Sequence, residues 1–114
     1  MKRVLRDIGS VSDIHLQDTE FYFRYRGMAM SVLHGPHRTS EYGPFSFYLY
    51  PKSVGIPLSA IAHEANNRGM KEPEMFSFNS ADFRGEDQRV FEELYAALRR
   101  KHLNIDGVFD QLLS

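Results

Sequence analysis

Hydrophobic residues change their spacing several times along the chain, and each change marks an element. From Glu20 onward, Phe21, Phe23 and Tyr25 alternate with Tyr22, Arg24 and Arg26, the two-residue period of a strand. Gly27 interrupts that run and Met28 to Leu33 resumes it, which predicts a hairpin turning near Arg26-Gly27. Phe45 to Tyr50 predicts a third strand, aromatic on both faces and closed by Pro51. A strand with bulk on both faces is usually covered on both. Met75 to Phe78 predicts a short fourth strand after the extended Glu72-Pro73.

The helical period appears twice with clear ends. Leu58, Ile61, Ala62 and Ala65 form an i, i+3, i+4, i+7 stripe behind Pro57, and Asn66 to Gly69 supplies a stop. The spacing of Val90, Phe91, Leu94, Ala97 and Leu98 predicts a longer helix over Glu86 to Leu103. Its acidic residues gather near the N-terminus and its basic residues at the C-terminus, each sign complementing the macrodipole. After Asn104, residues Ile105, Val108, Phe109, Leu112 and Leu113 repeat a helical spacing, so 103–114 reads as a C-terminal helix that docks on its own sheet or exchanges between two copies. Residues 1–19 are poorly specified, because Val4, Leu5, Ile8, Val11, Ile14 and Leu16 fit neither period; an edge strand around Ile14 to Leu16 is the reading preferred. His34 to Pro44, punctuated by Gly35-Pro36 and Gly43-Pro44, reads as a long surface loop.

The resulting order predicts class α+β: an antiparallel sheet of three to four strands with two to three helices packed on one face, in a single compact domain over 1–114. The length of 114 residues fits one domain with a substantial core. Zero cysteines exclude disulfides, thiol nucleophiles and thiolate metal sites. Fourteen Lys+Arg against fifteen Asp+Glu exclude a strongly basic nucleic-acid arm and an acidic mimic alike. Charges recur too early for a secretory signal and no apolar run can span a membrane, so a cytoplasmic protein without a membrane partner is expected.

Candidate chemistry is sparse. His34, His37, His63 and Glu64 are candidate metal ligands, but H-x₂-H in a Gly/Pro loop is a weak spacing, the helix lacks the second histidine of HExxH, and solvated loop histidines are the preferred reading. No metal and no cofactor are therefore expected. His37-Arg38-Thr39 resembles half of the paired H-x-T motif of the two-histidine phosphoesterases; the likeness covers three residues, and no second H-x-T occurs. Nucleophile elbows, P-loops, dinucleotide fingerprints and EF-hand loops are absent from the sequence.

Tyr22, Arg24 and Arg26, with Arg38, His34, His37 and either Tyr48 or Tyr50 nearby, make the most distinctive candidate surface. Tyrosine and arginine are enriched at protein–protein hot spots, and the same types stack bases and contact phosphates. Tyrosines that merely cover the sheet, with arginines extended over it, are the plain alternative. The expectation is a small non-catalytic binding or regulatory protein whose partner is another protein. Single-stranded nucleic-acid binding on the Tyr/Arg face and a His-dependent phosphoesterase are the alternatives. A homodimer through Ile105, Val108, Phe109, Leu112 and Leu113 is the further partner considered.

Overall fold

The structure, a computed structural model, describes residues 2–35, 45–67, 74–103 and 112. Its elements are α1 (Lys2–Arg6), β1 (Val11–Gln17), β2 (Glu20–Tyr25), β3 (Met28–His34), β4 (Phe45–Tyr50), α2 (Leu58–Asn67), β5 (Phe76–Asn79) and α3 (Glu86–Leu103). The class is α+β, and the five strands form one antiparallel sheet in chain order, β1-β2-β3-β4-β5. The sheet thus has five strands where three to four were expected. The additional one is β1, a seven-residue edge strand rather than a short stub.

β1 defeated periodic reading for a local reason. Its register against β2 shifts between Ser12 and Ile14, and Asp13 between them has a φ of 52°. That bulge inserts one residue, so Val11, Ile14 and Leu16 all reach the same side of the sheet despite their irregular spacing. At the other end of β2 the chain turns through Arg26 and Gly27, both at positive φ, as the hairpin requires.

The alternating residues of these strands build two separate cores. On one face, Phe21, Phe23, Val32 and Phe47 pack with Phe91, Leu94 and Leu98 of α3 and with Val4 of α1. On the opposite face, Tyr22, Ala29 and Tyr50 pack with Leu58, Ile61 and Ala62 of α2. The helices therefore cover both faces, which corrects the expected one-sided packing. The cause lies in β2 and β4, which carry large side chains on both faces: a helix on one side alone would leave Tyr22 or Phe23 in water. α1 is tied to the sheet by Asp7, whose carboxylate accepts from Tyr25 Oη (3.0 Å) and Ser10 Oγ (2.9 Å). α3 is tied to the β1–β2 hairpin by Tyr95 Oη, which donates to the Thr19 carbonyl at 3.0 Å. No helix among the described residues is long and apolar enough to cross a membrane.

Of the C-terminal stripe only Leu112 is described, and it is 78% exposed. Ile105, Val108, Phe109 and Leu113 lie outside the described residues, as do His37 and Arg38.

Candidate functional site

The side of the sheet that carries α2 holds both a cleft and a polar network, built from residues the strand pattern placed there. β4 ends at Tyr50 and the chain turns through Ser53-Val54-Gly55-Ile56 before α2 begins. Ile56 N–H donates to the Ser53 carbonyl at 3.0 Å and Gly55 has a φ of 80°, the features of a type II turn. Buried Ser53 anchors this turn. Its Oγ accepts from Ala29 N–H at 2.8 Å and donates to the Tyr50 carbonyl. Arg24 Nη1 donates to the Ser53 carbonyl (3.1 Å) and to the Gly27 carbonyl (3.0 Å), clamping the turn to the β2–β3 hairpin. Val54, at the second position of the turn, is 73% exposed and Ile56 41%.

Beside the turn lies a mainly apolar cleft of about 410 Å³. Tyr50 and Ile61 form its inner wall, Ile56 and Ala60 flank it, and Lys52 and Glu74 give it charged margins. That volume falls within the ~300 to 1,000 Å³ usual for ligand sites and suits one or two inserted side chains.

Behind Tyr50 the polar network begins. Ser31 Oγ donates to Glu20 Oε2 at 2.6 Å, so the 2.9 Å contact between Ser31 and Tyr50 must have the phenol as donor. Tyr22 Oη donates to Glu20 Oε1 at 3.0 Å and accepts from Asn66 Nδ2 of α2 at 3.2 Å. Two chains of donors thus converge on one carboxylate. Tyr22, Ser31 and Tyr50 are buried, whereas Glu20 keeps partial exposure. Burial pushes the Glu20 carboxyl above its ordinary range, against the opposing pull of the Ser31 and Tyr22 hydroxyls. The phenols of Tyr22, Tyr48 and Tyr50 are also pushed up, by burial first, and each feels the Glu20 charge as a lesser contribution. In this arrangement the tyrosines act as hydrogen-bonding neutral groups rather than as bases.

The residues singled out from the sequence are distributed rather than gathered. Tyr22 is fully buried beneath α2 and stacks on Tyr50 with ring centroids 6.1 Å apart. Arg24 is occupied with carbonyls, and the Arg26 guanidinium sits 5.4 Å from the ring centroid of Tyr25, a residue of the α3 face. Tyr48 is half-buried on the α2 face, across Ser31 from Tyr22. His34 belongs to the α3 side, stacked on Phe45 at 4.6 Å and edge-on to Tyr95 at 5.6 Å, beside an open groove of about 610 Å³. His63 and Glu64 are on α2, across the sheet from His34, so these three do not meet. Among the described residues no group of three or more His, Asp or Glu side chains is placed to hold a metal ion.

Glu20, Ser31 and Ser53 were not singled out as a site. Their one legible signal was Gly55 at the third position of a four-residue turn; the pairing of Glu20 with Ser31 depends on register and leaves no local mark. Compared with known proteins, the chain matches no family model, no curated protein and no solved structure.

Proposed function

We propose that this chain is a small non-catalytic binding or regulatory protein that docks another protein on the Val54 turn and the adjoining cleft. The observation that carries this reading is the exposure of Val54 on a turn clamped from two sides by Ser53 and Arg24. An apolar side chain held rigidly in water loses little further entropy when covered, and a neighbouring apolar cleft accepts a reciprocal side chain. Nucleic-acid binding gains less support, since Tyr22 offers no open ring and Arg24 is already engaged. A photo-crosslinking residue at Val54 tests the proposal in native lysate. The expected result is a nuclease-resistant protein adduct that disappears in an Ile56→Asp background and is absent when the probe replaces the exposed Glu93 of α3. Equal labelling from both positions, or none from Val54, would remove the proposal.

A further inference from the structure

We propose that Glu20, on the same sheet face as Tyr48, is a receptor for a cationic ammonium or guanidinium group, a site separate from the Val54 turn and independent of its role. Each Glu20 oxygen accepts one buried-hydroxyl donor, Tyr22 at 3.0 Å and Ser31 at 2.6 Å. A carboxylate has about four acceptor positions, so both oxygens keep capacity for further donors. The two donor chains, ending in Asn66 and Tyr50, fix the orientation of the group before any ligand arrives. Preorganisation of this kind distinguishes a built receptor from a solvated surface glutamate.

The surroundings favour a cation over a neutral donor. Glu20 is partly withdrawn from water, where its attraction for a positive charge is less screened. Tyr48 lies on the same face, joined to Tyr22 through Ser31 in one cross-strand row, and it is half-buried rather than enclosed. Across that row the carboxylate supplies the charged acceptor, and the ring offers a π-face to the group that carries the cation. The chemistry is the same for a lysine or arginine side chain presented by a protein and for a free alkylamine.

The experiment follows the Glu20 carboxyl carbon and the Tyr48 ring by NMR in the full chain. Three probes are added: a short peptide with a central lysine, the same peptide with norleucine, and n-butylammonium chloride. The lysine peptide is expected to shift both signals and norleucine neither, with binding weakened at least about tenfold by Glu20→Gln and by raised salt. Binding of the peptide alone assigns the site to a protein partner, whereas equal binding of n-butylammonium assigns it to small amines. Should Glu20→Gln fail to fold, the wild-type Glu20 titration decides, because a bound cation must draw that carboxyl pKa downward. No shift with either cation, or binding retained in Glu20→Gln, overturns the proposal. A chain that carries the crosslinker at Val54 and Ile56→Asp, loses its protein adduct and yet still binds the lysine peptide would separate the two sites.

Discussion

The two faces of the sheet are made by the same strands yet obey different chemistry. On the α3 face, the cluster formed by Phe21, Phe23, Val32, Phe47, Phe91, Leu94 and Leu98 is held by area and ring packing, such as Phe83 against Phe91 at 5.3 Å. On the α2 face a ten-residue helix covers Tyr22 and Tyr50, whose hydroxyls are directed into hydrogen bonds around Glu20. The first arrangement tolerates rearrangement as long as volume is conserved, while the second depends on each donor meeting its acceptor. The strand period lets the same strands build one face held by area and another held by directed hydrogen bonds.

That division is broken most severely by Phe91→Ala. Removing a fully buried ring between sheet and helix should cost about 3 to 5 kcal/mol and lower the thermal midpoint accordingly. Tyr22→Phe probes the other face without altering shape. It removes a donor from Glu20 and an acceptor from Asn66, and a loss of about 1 to 3 kcal/mol is expected by chemical denaturation. If Tyr22→Phe proved as costly as Phe91→Ala, the polar face would be as fold-determining as the apolar one. Gly55→Ala should destabilise by about 1 kcal/mol, because a φ of 80° strains any residue with a Cβ, and crosslinking from Val54 should fall with it.

The smallest effect belongs to Glu20→Gln at neutral pH, within about 1 kcal/mol, because the lost charge-assisted bonds are offset by relief of a desolvated charge. Its signature is the pH dependence. The Glu20 carboxyl is raised in the fold, so the native state holds that proton more tightly than the unfolded chain. Wild type should therefore gain stability relative to Glu20→Gln as pH falls from the raised folded value toward the ordinary glutamate value of ~4.3, with no further gain below it. Thermal melts of both proteins across that window give the difference. A constant difference would place Glu20 in free solvent.

Much of this fold was legible in advance, and the failures have specific causes. α3 spans the predicted Glu86 to Leu103, because its apolar stripe and its charged ends agreed. β2 and β4 followed from alternation and from Pro51. β1 was obscured by a bulge at Asp13, a backbone event that apolar spacing registers only as noise. The side taken by α2 was undecidable from its own stripe, which fits either face; the bulk at Tyr22 and Tyr50 was the signal that mattered. Tyr22 illustrates the limit at the site. Local sequence shows an alternating tyrosine next to an arginine, and only register against Ser31 and the crossing of α2 reveal that it faces inward.

The bulge in β1 has a further consequence for how copies of this chain behave at high concentration. A seven-residue edge strand offers a template on which another chain could add and continue, the first step toward fibrils. At Asp13 the left-handed backbone breaks the regular spacing of donors and acceptors along that edge, and a carboxylate stands at the break. An incoming strand would lose its register midway and meet a charge there. Replacing Asp13 with valine, or deleting it to restore a flat ladder, would remove that barrier, and slow assembly into thioflavin-positive aggregates would follow where the native chain stays dispersed.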